Sequence, residues 1–213
     1  MKKILCMLLC LCLFVPALAC AERHVVTALA AELNPDALVS VSADARITDY
    51  NAADNMLTVE LIVPERYDPE EIRALEVGDA IYTQGQEVEI KTISENNGYI
   101  VLNEGDYEFS EGSVWLYEDI DMTYWIAEYD DHTWTLLATV EVPVSDHLLF
   151  LDEINPSTGE TLLNPSVHSK AEFLDMLKAE KEGSPGFAAN NVLVAFDDTG
   201  ALALVRRFYV PWQ

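Results

Sequence analysis

"NVLVAFDDTGALALVRRFYVPW", Asn191–Trp212, reads as two apolar runs joined by a turn at Asp197-Asp198-Thr199-Gly200. Short apolar runs bounded by Asp and Gly are strands of a hairpin. Both runs are apolar at nearly every position, which predicts burial on both faces. Arg206-Arg207 stands out in so acidic a chain. Neighbouring strand residues point to opposite faces, so one arginine must approach the buried side, where a carboxylate partner is expected.

The partner layer precedes the hairpin. Ser169 with Glu172 fits a capping box, in which each residue satisfies a free backbone N–H of the other's turn. Phe173, Leu174, Met176 and Leu177 then recur at helical spacing, and Gly183 and Pro185 end the run. This helix, predicted over 170–182, is expected to lie on one face of the hairpin.

Most of what lies further out is strand. "ALVSVSADARITDY" (Ala37–Tyr50) alternates, and "NMLTVELIVPE" (Asn55–Glu65) places Leu57, Val59, Leu61 and Val63 on one face. Asn51–Asn55 is the expected connection between them. Asp68-Pro69-Glu70-Glu71 starts a short helix: Asp caps, Pro suits the first position, and two acids meet the positive end of the dipole. Gly78-Asp79, Gly85 and Asn97-Gly98 are turn signals among further short strands. Beyond them, strands are expected around Val114–Tyr117, Met122–Tyr129, Thr133–Val140 and His147–Leu151, with Asp130-Asp131-His132 as a hairpin turn and Pro156–Pro165 as loop. The expected class is α+β and β-rich, mainly antiparallel. Residues 38–104 would form a small barrel-like half and 105–213 a sheet with one packed helix, meeting at "NEGDYEFSEG" (Asn103–Gly112). Residues 22–37 read as a tether with a helical turn or two within Val25–Leu33.

The first 21 residues read as a leader. Lys2 and Lys3 precede an uncharged apolar run from Ile4 to Val15, too short to span a bilayer, and Pro16 breaks it. Ala17, Ala19 and Ala21 offer cleavage before Cys20 or before Glu22. Ala17-Leu18-Ala19-Cys20 also resembles a lipoprotein signal with its usual residue order reversed. The expectation is therefore an extracytoplasmic protein, either secreted or tethered through a lipid on Cys20. Membrane contact would come only from that lipid, because the mature chain has no transmembrane span.

All four cysteines (Cys6, Cys10, Cys12 and Cys20) lie in the leader or at its edge. Thiol catalysis, zinc–thiolate sites and iron–sulfur clusters are excluded, and an exported chain without disulfides must stand on its hydrophobic core. The formal charge of −25 becomes −27 once the leader's two lysines are removed. Nucleic acid is excluded as a partner, since its phosphates call for cations. Between Lys91 and Lys170 the chain has no Lys or Arg across 78 residues that hold 16 Asp and Glu.

The histidines, His24, His132, His147 and His168, form no H-E-x-x-H motif, and no G-x-S-x-G elbow or glycine-rich phosphate loop is present. Two concentrations remain. Glu118, Asp119 and Asp121, with Asp130 and Asp131, supply hard oxygen ligands suited to calcium, the one cofactor the chain invites. Eight aromatic residues fall within Tyr107–Trp134. Of these, Trp115, Tyr117, Trp125, Tyr129 and Trp134 are the candidate ligand-binding residues, because exposed rings on a strand make a surface for sugars or extended peptides. The expected role is a non-catalytic binding or accessory module with a glycan, a basic peptide or an envelope protein as partner. The alternatives are a small glycan hydrolase using two carboxylates, and a structural envelope protein.

Overall fold

A computed structural model describes residues 23–104, 113–119, 123–128, 134–155, 158–179, 186–187 and 191–208. The segment expected to be a leader, with Cys20, lies outside this set. The elements are β1 (Val25–Thr27), β2 (Ser42–Asn51), β3 (Met56–Pro64), β4 (Arg66–Tyr67), α1 (Pro69–Arg73), β5 (Ala80–Thr83), β6 (Gln86–Glu89), β7 (Ile93–Asn96) and β8 (Tyr99–Leu102). They continue with β9 (Val114–Glu118), β10 (Trp125–Glu128), β11 (Trp134–Ile154), β12 (Thr161–Ser169), α2 (Lys170–Lys178), β13 (Val192–Phe196) and β14 (Leu202–Arg207). The chain is β-rich with mixed, mostly antiparallel sheets. No helix among the described residues is long and apolar enough to cross a membrane.

Five strands pair in a closed cycle: β2 with β3, β3 with β11, β11 with β14, β14 with β13, and β13 with β2. All pairs are antiparallel except β11–β14. The 21-residue β11 makes the closure. Its first half, from Trp134 opposite Pro64 to Pro143 opposite Met56, pairs with β3, and its second half pairs with β14. Register shifts at Leu136/Ala138 and between Val144 and Leu149 bend it from one partner to the other. Thr133–Val140 and His147–Leu151, expected as separate strands, thus belong largely to one.

Alternate residues fill the barrel: Ala45 and Ile47 from β2, Leu57, Val59 and Leu61 from β3, Val142 and Val144 from β11, Val192 and Val194 from β13, and Leu202 and Val205 from β14. Helix α2 adds Phe173, whose ring lies 5.4 Å from Phe150 and 5.3 Å from Phe187. The capping box holds: the Ser169 side chain accepts from the Glu172 N–H, and Glu172 accepts from the Ser169 N–H at 2.8 Å.

Several expectations are revised. The hairpin strands are buried on one face, not two: Val192, Val194 and Phe196 point inward while Leu193 and Ala195 are half-buried outside. A closed sheet has a single interior, so apolar runs on it serve one core. Pro156–Pro165 is not all loop, because β12 begins at Thr161 and includes Pro165. β12 pairs only with β11, and an edge strand tolerates a residue without an N–H.

The tether is also revised. Val25–Thr27 is a strand, parallel to β5, and Val26 is fully buried. Val-Val-Thr is β-branched throughout and suits a strand better than a helical turn. Nor do the sheets divide at residue 105. β2 and β3 belong with the strands after residue 134, while β4–β10 form a second unit, inserted between them and completed by β1 from before the barrel. Its five-stranded sheet has the order β4-β10-β9-β8-β7, and β1-β5-β6 form a second, smaller sheet. Tyr67, Ile72, Ile81, Ile90, Leu102 and Leu116 make its separate core.

Candidate functional site

The inserted sheet has one face on that core; its other face carries the buried Val101 and Ile126 beside half-buried rings. Along β9, Val114 and Leu116 are buried, while Trp115 and Tyr117 are only half-buried. β7 and β8 meet at Asn97-Gly98, where both residues have positive φ (49° and 89°). That conformation suits a two-residue hairpin, and glycine takes it without a Cβ penalty. The turn sets the β7–β8 register, with Asn96 opposite Tyr99, and in the separate β8–β9 ladder Val101 lies opposite Trp115. Tyr99, two residues before Val101, therefore shares that face. Its ring centroid is 5.5 Å from Trp115 in an edge-on arrangement and 5.8 Å from Tyr117.

Tyr99 was not among the residues expected from sequence. The Asn-Gly turn marks where β8 starts, but the β8–β9 ladder is what places Tyr99 on the face of Trp115. Trp125 is placed differently from the expectation. It lies opposite Glu118 in the β9–β10 register, on the core side, and is 7% exposed, with its Nε1 lacking a hydrogen-bond partner among the described residues. Trp134 starts β11 on the barrel sheet, half-buried, away from the inserted sheet's strand order. Tyr129 lies outside the described residues. Of the five expected aromatics, Trp115 and Tyr117 come together.

The acidic candidates are engaged locally. Glu118 accepts from Arg73 at 3.1 Å. Asp119 Oδ1 accepts from the N–H groups of Thr123 (2.7 Å) and Tyr124 (3.1 Å), closing the turn between β9 and β10. Asp121, Asp130 and Asp131 lie outside the described residues. Among the described residues no three Asp, Glu, His or Cys gather as a metal cage.

The structure adds polar features with no sequence signature. Glu65, at the junction of β3 with β4, accepts from the Gln84 N–H (2.7 Å), the Thr135 hydroxyl (2.9 Å), the Tyr67 hydroxyl (2.8 Å) and the Thr83 hydroxyl. It ties the inserted unit to the start of β11. Asp152, fully buried, takes a two-pronged contact from Arg207 (3.0 and 2.7 Å), whose guanidinium also lies 4.6 Å from the Phe187 ring. This is the carboxylate partner expected for one arginine of the pair; Arg206 goes to Glu153 on the outside.

Ser166 Oγ and His168 Nε2 are 2.8 Å apart. The Ser166 hydroxyl also lies 3.3 Å from the Asp152 carbonyl, and the His168 tautomer decides which of the two accepts its proton. Comparison of the chain with protein-family models, curated proteins and solved structures gives no match.

Proposed function

We propose that this protein is a non-catalytic extracytoplasmic binding module. In this reading the barrel is the support and the ring-bearing face of the inserted sheet receives a neutral, extended glycan. The observation that carries the reading is the Tyr99–Trp115–Tyr117 cluster. Trp115 and Tyr117 each stand within 5.8 Å of Tyr99 on one sheet face, none of the three fully buried, while the opposite face packs on a core. Such rings offer sugar C–H faces a rigid apolar surface, and carboxylates nearby accept hydroxyl hydrogen bonds. The strongly negative chain favours neutral or cationic ligands over anionic ones. Export by the leader, with or without a lipid on Cys20, belongs to the same proposal.

Glycan-array binding by the full chain tests the reading, compared with a Trp115→Ala/Tyr117→Ala variant. Saccharide binding that falls at least tenfold in the variant, with its melting temperature recorded alongside, is the expected result. Absence of saccharide binding, with capture of basic peptides instead, would overturn the glycan assignment. Intact mass of detergent-extracted protein decides whether Cys20 carries diacylglycerol.

A further inference from the structure

A groove of about 550 Å³ lies where the outer face of the barrel meets the inserted unit, from which Arg66 and Tyr124 line it. Its floor is the outward side of β2 and β3, including Ser42, Asp44 and Ile62, and residues 29–37 form its wall. The wall starts where the Leu29 N–H donates to the Arg66 carbonyl (2.7 Å), and just beyond it the Ser40 N–H donates to the Asp197 carbonyl (3.0 Å). Its volume falls in the range of small-ligand sites, and its lining is mainly aliphatic with a few polar groups.

Two of those polar groups are uncompensated. Asp44 is half-buried, and burial pushes its carboxyl above the usual aspartate range with no cation or donor among the described residues to offset it. Arg66 has its Nε buried without an acceptor among the described residues, and its guanidinium is held over the Tyr124 ring at 5.4 Å. An acid without a cation and a cation without an acceptor thus line the same groove.

Their spacing follows from register. Asp44 lies opposite Ile62, and Arg66 is four residues further along the chain. At ~3.3 Å per residue the two are separated along the strand direction by at most ~13 Å. An extended tripeptide spans ~10 Å between its termini. Its ammonium and carboxylate match the two charges, and its side chains match the aliphatic lining. We infer that this groove binds a short, extended zwitterionic peptide, with its ammonium on Asp44 and its carboxylate on Arg66. The site joins the barrel to the inserted sheet, and Arg66 shares a sheet face with Tyr117, since both lie opposite Ile126; the peptide test below is read separately from saccharide binding, so the two proposals fail separately.

Calorimetry on the full chain with the tripeptide Ala-Leu-Ala tests it, alongside the N-acetylated and C-amidated forms. The free peptide should bind, and each cap should weaken binding at least tenfold. Asp44→Asn should weaken the free peptide by a similar factor and leave the acetylated one unchanged; Arg66→Gln should behave the same way toward the amidated one. No binding of the free peptide at millimolar concentration overturns the proposal, as does equal binding of free and capped forms. The capped peptides need no variant, so misfolding of either substitution leaves the test intact.

Discussion

The barrel and the inserted unit are built by different rules. In the barrel, strands of five residues or more mostly alternate, with bulges breaking the period, each gives its inward residues to one core, and three phenylalanines with a buried ion pair seal one region of it. In the inserted unit most strands have four or five residues, and strand pairing rather than alternation decides which side chain faces where. Core area is what stabilises, so the barrel carries the larger share of stability. The smaller unit places half-buried rings on a surface the barrel does not need for itself.

The comparison breaks first at Asp152. Removing it leaves Arg207 charged and buried, at a cost of about 3–5 kcal/mol, so Asp152→Ala should collapse the barrel's urea midpoint. Asp152→Leu with Arg207→Met should recover most of that loss, because the attraction between buried charges largely offsets their desolvation. Failure of the double variant to recover would make the pair more than a local contact.

Glu65→Ala probes the joint between the two regions. Losing hydrogen bonds to a charged acceptor costs about 1.5–3 kcal/mol, and the effect should concentrate in the inserted unit. Amide exchange should rise in β5 and β10 while β13 and β14 stay protected. Uniform acceleration would mean the two regions unfold together.

Ser169→Ala should cost about 1 kcal/mol through loss of the α2 cap, read as a lower thermal midpoint. Smaller still are the pH effects, which run in opposite directions. Hydrogen bonds from the Ser169 backbone and side chain hold Glu172 below the usual glutamate range, and those from Thr199 hold Asp197 low. Their stabilisation is present above the unfolded-state pKa and is lost as pH falls through the folded one. Asp44 is raised by burial, so its contribution is full at low pH and is lost as pH rises. Asp44→Asn should therefore raise the thermal midpoint near neutral pH and have little effect in strong acid, where the carboxyl is already protonated.

The same contrast explains what was readable in the sequence. Leu57, Val59 and Leu61, the Ser169–Glu172 cap, the Asp68 cap and the Arg206-Arg207 split all follow from periods and local hydrogen bonding. Closure of the barrel does not, because it depends on pairing between β3 and a strand some seventy residues later. Trp125 shows the limit within one strand. Its neighbour Ile126 is also buried (8% exposed), so alternation alone left its side open and only the pairing with Glu118 assigned it. The Asn97-Gly98 turn marks the start of β8 at Tyr99, but its place beside Trp115 depends on the β8–β9 pairing. Asp44 and Arg66 were not, since nothing local marks the wall of residues 29–37 that desolvates them.

Nesting of the unit within the barrel is the claim on which the rest depends, and one geometric fact exposes it to test. Pro64 and Trp134 face each other across an antiparallel ladder. Replacing residues 65–133 with Asn-Gly should therefore join β3 and β11 as a tight hairpin and leave the barrel whole. The account predicts that the shortened chain gives a dispersed amide proton–nitrogen correlation spectrum. A collapsed, poorly dispersed spectrum would contradict it, showing that the barrel cannot close without the unit it carries.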